Sequence, residues 1–263
     1  FDHVRKANRI IATYDFVKKR ENVYSYNQHG TNVMSCISGI SKGNKIGLAT
    51  DAEFLLARTE NAHREPFSEE QNWLAAVEWA DKKGAQIINS SLAYTYHHYF
   101  KSEMDGATSF VAKAANIAAS KGILVVNAAG NDGDNSWKVI GTPGDADSVL
   151  TIGGIDPETG FHIGFSSFGP NKSNKLKPNL AAYGEAIVAG KSGLVVSRGT
   201  SFSSPLVAGF AACVMEANPT ITNMELFEEL QKSGHLYPYF DYAHGYGIPQ
   251  AAYFTGKNEN RPR

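Results

Sequence analysis

Two hydrophobic rhythms alternate through the middle of the chain. Trp73, Val77 and Ala80 recur at i, i+4 and i+7, the single apolar stripe of a helix lying on a sheet. Ahead of that stripe, Ser68-Glu69-Glu70-Gln71 has the form of a capping box, Ser68 capping and Gln71 reaching back. Gln86-Ile87-Ile88-Asn89 reads as a short buried strand. A second, Ala-rich helix is predicted from about Ser109 to Lys121, stopped at Gly122, where a left-handed cap favours glycine. Ile123-Leu124-Val125-Val126 and Val149-Leu150-Thr151-Ile152 are apolar runs bounded by turn residues, as expected of strands covered on both faces. Strand and helix alternating through short links predict an α/β fold of three layers. Its core is a doubly wound, mostly parallel sheet with helices on both faces. Reactive side chains in such sheets gather at the carboxyl ends of the strands.

The chain has 263 residues, 42% hydrophobic and 19% charged, and can bury one sizeable core, so residues 1–263 are read as a single domain. No repeat, low-complexity block or linker interrupts it, and the polar tail from Gly256 to Arg263 is expected to fray. A formal net charge of -1 gives no electrostatic reason to expect nucleic acid or an anionic membrane as partner. No apolar run approaches the roughly 20 residues that span a bilayer. The two cysteines, Cys36 and Cys213, sit in apolar helical patterns and are expected to be free buried thiols. The chain opens on Phe1 rather than Met, so further upstream sequence is expected.

Four short segments carry groups that acyl transfer needs. His29-Gly30-Thr31 starts a helical stretch that presents an imidazole outward, with Gly30 allowing close packing and Val33 and Ile37 anchoring the helix below. Gly199-Thr200-Ser201 precedes Pro205, a residue tolerated only in a helix's first turn, so Ser201 stands where backbone N–H groups lack partners. Such N–H groups can receive an oxyanion. Asn131 follows an apolar strand in Ala128-Ala129-Gly130-Asn131, and its amide could donate to the same developing charge. Asn89-Ser90-Ser91-Leu92-Ala93 ends the preceding strand, with backbone groups that could pair with an extended peptide. Each segment alone has an ordinary structural explanation; their co-occurrence, His before Ser, does not.

Together these segments closely resemble the subtilisin-like serine proteases, bacterial members above all. Phe165-Ser166-Ser167-Phe168-Gly169-Pro170, Lys177-Pro178-Asn179 and Gly245-Tyr246-Gly247 look like further landmarks of that family in the right order. The resemblance implies a secreted or extracytoplasmic serine endopeptidase working through an acyl-enzyme on Ser201, with His29 as general base and Asn131 in the oxyanion hole. It implies a primary specificity pocket lined by Ser91, Leu92, Ala93, Ala128, Ala129 and Gly130, with Gly141 at its base, roomy and mainly apolar. Ala93 stands where the family usually has Gly, which would narrow the approach of a substrate strand. No cofactor is implied as required; many relatives bind structural calcium, and no acidic loop here matches a site. Glu69 and Glu70 read as residues favouring a helix dipole, and His63, His97, His98, His162, His235 and His244 as surface or structural.

The family also needs a carboxylate on the far side of the imidazole. Upstream of His29 stand only Asp2 and Asp15, and neither has the Asp-x-Gly setting that the family uses. Asp15 lies closer to His29 than the family spaces this pair, and Tyr14-Asp15-Phe16-Val17 resembles the strand after the acid. Asp15 is therefore read as a structural or surface residue. The triad Asp, with the first sheet strand, is expected on a separate N-terminal piece of the same precursor that docks as a companion peptide. The alternative reading is a shortened or catalytically impaired peptide-binding pseudoprotease.

Overall fold

The computed structural model describes residues 1–24, 26–61 and 65–256. A short helix α1 (Asp2–Lys6) leads to strand β1 (Ile10–Asp15) and helix α2 (His29–Ser38). A small hairpin, β2 (Ile40–Ser41) and β3 (Asn44–Lys45), precedes strand β4 (Phe54–Arg58). The alternating centre is helix α3 (Ser68–Lys82), strand β5 (Ile87–Ser90), helix α4 (Phe110–Ser120), and strands β6 (Leu124–Ala128), β7 (Val149–Ile155) and β8 (Leu180–Tyr183). The hairpin of β9 (Glu185–Gly190) and β10 (Gly193–Arg198) then delivers the chain to the long helix α5 (Thr200–Ala217), followed by α6 (Asn223–Lys232) and α7 (Ala251–Phe254).

The apolar runs pair as their pattern predicts: β5, β6, β7 and β8 form one parallel sheet in that order. Helices α5 and α6 cover one face, with Val207, Ala211, Val214, Leu226 and Leu230 set against Leu124, Val126, Leu150, Ile152 and Leu180. Helices α3 and α4 cover the other, where Trp73, Val77, Val111 and Ala115 meet Val125 and Val149. Ser109 caps α4 by accepting the Ala112 N–H, and Gly122 beyond its end takes φ of +94°.

Strands β1 and β4 form a second parallel sheet of two. Helix α3 ties it to the first: the Asn72 amide donates to the Thr59 carbonyl just past β4, and the Trp73 indole to Ser90 Oγ at the end of β5. Among the described residues β4 pairs only with β1, and β5 only with β6. Burial follows pairing. Strands β6 and β7 are buried throughout, whereas β4 and β5 are mostly half-buried.

Three local expectations change. Ser68 does not cap α3; the first-turn N–H groups of Glu69 and Glu70 go to the carbonyls of Pro66 and Phe67, a tight backbone turn that replaces the side-chain cap. Glu69 and Glu70 are not surface residues serving a dipole, since both are fully buried with specific partners. Nothing lies within 4 Å of a Cβ built on Gly30, so that glycine opens space beside the imidazole rather than permitting close packing. The close approach is instead at Gly209 of α5, where a Cβ would stand 3.5 Å from the Ile37 Cα of α2. Cys36 and Cys213 are free, and burial pushes the Cys36 thiol up to about 12. The tail at 257–263 and His63 lie outside the described residues.

The Lys177-Pro178-Asn179 landmark is a core fastening. The fully buried Lys177 ammonium donates to the Val149 carbonyl, to Thr151 Oγ1 at 3.1 Å and to Asn179 Oδ1 at 3.0 Å. Burial lowers its pKa to about 7, against the pull of Asp145 and Asp147. Between about 7 and its ordinary range the folded chain therefore binds fewer protons than the unfolded chain, and stability rises with pH. Lys177→Met is expected to cost about 3–5 kcal/mol in urea denaturation by stranding the acceptors. The variant should also lose the rise in stability between pH 7 and pH 10, and an unchanged slope would refute the linkage.

Candidate active site

The carboxyl end of β6 and the amino end of α5 meet through one residue pair. Asn131 Oδ1 accepts both the Thr200 N–H at 2.8 Å and the Thr200 hydroxyl at 3.0 Å. The Thr200 hydroxyl oxygen in turn accepts the Gly130 N–H at 3.2 Å. With its oxygen committed, the Asn131 amide nitrogen remains as the free donor on an exposed side chain beside Ser201. Ser201 is the second residue of α5, so its own N–H has no partner within the helix.

Ser201 is half-buried, and it is tied to the end of β5 in both directions. Its hydroxyl donates to the Ser91 carbonyl at 3.3 Å, and the Ser91 hydroxyl donates to the Ser201 carbonyl at 2.9 Å. The Asn89 amide supports Ser91 at 3.1 Å, while Asn89 Oδ1 accepts from the Ser204 hydroxyl at 2.8 Å.

His29 opens α2 and lies edge-on to Phe202, with ring centroids 6.3 Å apart. The helix is seated by Val33 and Cys36 against Phe202 and Val188, and by the Ala189 N–H donating to Ser35 Oγ at 2.9 Å. The imidazole has an open face, yet surrounding protein strips enough water to hold its pKa below the ordinary histidine value. Among the described residues no carboxylate bonds the ring. Asp15 is spent elsewhere: it is buried at the end of β1, 2.8 Å from the Arg58 guanidinium, and accepts the Lys18 N–H.

Beside Ser201 lies a cavity of about 200 Å³. Ser91, Leu92, Ala93, Ala128 and Gly130 line it, together with Asn131 and Thr200. Its far walls are Glu65, Thr95, Tyr96, His97 and Asp132, which no motif had singled out, and they make the lining mostly polar rather than apolar. Ala129 and Gly141 stand behind the wall, where Gly141 packs against Ala93, Tyr94 and Thr95. The Ala93 methyl points inward, lying 3.3 Å from a Cβ built on Gly130. The Phe165–Pro170 landmark braces this corner: the Ser167 N–H donates to the Gly130 carbonyl, and Ser167 Oγ accepts the Asp132 N–H.

A histidine and a serine thus stand on two packed helices, with an amide donor at the end of a strand. The chain belongs to the subtilase family, whose profile matches residues 1–247. It is 28% identical to the serine protease AprX of Bacillus subtilis (strain 168), covering 89% of this chain and 58% of that protein. It is 27% identical to subtilisin DY of Bacillus licheniformis, over 86% of this chain and 77% of that one. The chain thus spans under two thirds of the length of AprX. Among solved structures, sphericase superposes with a TM-score of 0.74 at 24% identity, covering 93% and 86% of the two chains. MycP1 with its N-terminal propeptide removed gives 0.73 at 24%, covering 96% and 87%. Both share the subtilisin-like α/β fold seen here.

Gly130 is the residue the corner least tolerates changing. Its φ is +108°, and a Cβ there would stand 2.9 Å from Ser167 Oγ. Gly130→Ala is expected to lose roughly 1–3 kcal/mol through backbone strain and displacement of Ser167. Urea denaturation measures this, and a loss under about 0.5 kcal/mol would show that the corner relaxes freely.

Proposed function

We propose that this protein is a serine endopeptidase in which Ser201 is the nucleophile, His29 the general base and Asn131 an oxyanion donor. The observation that carries this reading is the Asn131–Thr200 lock, which leaves one free amide donor beside the Ser201 N–H. In the proposed cycle Ser201 Oγ attacks the peptide carbonyl carbon as its proton passes to the His29 ring. The carbonyl oxygen becomes an oxyanion facing the Asn131 amide and the Ser201 N–H. Collapse breaks the C–N bond, His29 protonates the departing amine, and an acyl ester remains on Ser201. Water, deprotonated by His29, then hydrolyses that ester and restores the serine. These steps use only the named groups and water.

We infer further that the third member of the triad is an Asp on a strand outside these 263 residues, carried by a companion N-terminal piece. Three features support the reading. Asp15 is neutralised by Arg58, the ring of His29 lacks a carboxylate partner among the described residues, and β4 and β5 are each left with one unpaired, half-buried edge. A parallel strand between them would satisfy both edges and join the two sheets. The likeness to Bacillus proteases supports a site of action outside the cytoplasm and a peptide or protein substrate. No described helix is long and apolar enough to cross a membrane.

A fluorophosphonate should label wild type at neutral pH and leave Ser201→Ala unlabelled; absence of labelling would favour a peptide-binding pseudoprotease. Asn131→Leu should lower kcat by about 10²–10³, the range seen when a subtilisin loses such a donor, with KM little changed. Intact mass and N-terminal sequencing of the native preparation report whether the companion piece is present. Its docking should be visible at His29. The base works only when neutral, so with its pKa lowered by burial the acid limb of activity lies below the ordinary histidine range. A carboxylate brought to the ring raises that value. NMR titration of His29 should move upward on assembly, and an unmoved titration would eliminate the companion Asp.

A further inference from the structure

Behind the cavity, the segment running from β4 into α3 meets the segment following β5. The first carries Glu65 and the second Leu92, Ala93, Thr95, Tyr96 and His97, so together they form two walls of the space beside Ser201. Among the side chains that join them is His98, only 6% exposed. Its Nδ1 lies 2.6 Å from Glu70 Oε1, and its Nε2 lies 2.6 Å from the Glu65 carbonyl oxygen.

That geometry determines the ring's charge. A backbone carbonyl can only accept, so Nε2 must carry hydrogen. Glu70 is fully buried, and its other oxygen already accepts the Tyr99 hydroxyl at 2.5 Å. An ionised Glu70 also accepts at Nδ1, which makes the ring an imidazolium held between two acceptors. Burial pulls the His98 pKa down, and the bonds to Glu65 and Glu70 outweigh it, leaving it above the ordinary histidine value.

The groups that face this ring make its loss of charge consequential. Tyr94 stacks on it at 5.4 Å, and the Phe67 and Tyr99 rings pack at 6.0 and 6.2 Å. The Tyr94 hydroxyl donates to Glu60 Oε1 at 2.7 Å. Beside Glu60, the fully buried Glu69 accepts the Asn61 N–H at 2.6 Å. Burial, with Glu60 and Glu65 nearby, pushes Glu69 up to about 8. Among the described residues, the ionisable groups here are thus four carboxyls, two phenols and one imidazole.

We propose that the His98–Glu70 pair is a protonation-dependent clamp that holds the two walls of the substrate cleft together, His98 and Glu70 acting as positioning residues. The clamp deepens the endopeptidase reading and rests on it for the identity of the ligand, an extended peptide. While charged, His98, carried by the wall that follows β5, bonds the other wall twice, at the Glu65 carbonyl and at Glu70. Once neutral it has one N–H, and one of its two contacts becomes a pair of facing lone pairs 2.6 Å apart. That contact then opens, and the wall carrying Glu65 and Glu70 is held less tightly, by the remaining His98 bond and the Tyr94 and Tyr99 hydroxyls. Peptide affinity is therefore full at low and neutral pH and falls as pH rises through the His98 value.

The test reads binding apart from turnover, using one succinyl tetrapeptide p-nitroanilide ending in Leu. KM and kcat are measured on the native protein, and Kd is measured calorimetrically on its Ser201→Ala variant, between pH 6 and pH 10. KM and Kd should rise together by about tenfold across the alkaline range, the worth of one charged hydrogen bond, with kcat flat there. Glu70→Gln supplies the discriminating variant. Its amide can donate to Nδ1, so a neutral His98 is satisfied at both nitrogens and the pH dependence of Kd should vanish while the fold persists. His98→Phe should raise Kd at every pH. ¹⁵N NMR of the ring should find both nitrogens protonated at pH 7. A Kd in Ser201→Ala that does not change with pH, or a neutral His98 at pH 7, overturns the clamp. Peptide binding with normal pH dependence but no turnover by the native protein upholds the clamp and overturns the endopeptidase reading. Failure to bind peptide at all overturns both.

Discussion

The two hydrogen bonds from Thr200 to Asn131 Oδ1 are the joint on which the site hangs. One end of the joint is the last turn off a fully buried strand; the other is the first residue of an 18-residue helix that crosses β5 to β8. Thr200 suits the position because its hydroxyl donates to Asn131 while accepting from Gly130, and because it is itself fully buried. A valine there would keep the backbone bond to Asn131 but leave the buried Gly130 N–H without its acceptor. From this joint the rest follows mechanically. Helix α5 fixes Ser201, and α2, seated against α5 through Phe202 and the bare backbone at Gly209, fixes His29. The three groups are positioned by packing between helices and sheet rather than by bonds to one another.

Burial of charge follows one rule on both sides of the sheet. Each enclosed ion has donors or acceptors waiting for it: Lys177 among three oxygens, Asp15 against Arg58, Glu70 between His98 and Tyr99. Charges so enclosed add little net stability over apolar residues of equal size, but removal of one partner is costly. They fix geometry. In the core they fix strand register, and at the cleft they fix the separation of two loops.

The central fold was legible because its signal is redundant. Apolar runs such as Leu124–Val126 and stripes such as Trp73, Val77 and Ala80 are repeated statements of burial, and no single side chain decides them. Motif order singled out His29, Ser201 and Asn131 as the groups of the proposed site. What the sequence concealed depends on contacts between segments distant along the chain. Glu69 and Glu70 look like ordinary first-turn acids, and it is the meeting of Glu60 and residues 65–70 with residues 94–99 that encloses them. His98 has no motif because its partners are a carbonyl at Glu65 and a carboxylate 28 residues earlier. Ser68 had the form of a cap, yet backbone carbonyls at Pro66 and Phe67 took the N–H groups instead. The polar character of the cavity came from the same source, since Glu65, Tyr96 and His97 reach it from loops with no periodicity to read.

The reciprocal bonds between Ser91 and Ser201 bear on reactivity as much as on position. With its proton given to the Ser91 carbonyl, the Ser201 oxygen is an ordinary alcohol of ordinary acidity. In the proposed cycle it becomes a nucleophile only after rotation about a single side-chain torsion turns that proton toward the His29 imidazole. The bond surrendered is long, at 3.3 Å, and a peptide laid along Asn89–Ala93 would compete for the same carbonyl. In the proposed cycle the event that fills the cleft would therefore also arm the serine, and the Ser91 bond serves as its safety catch.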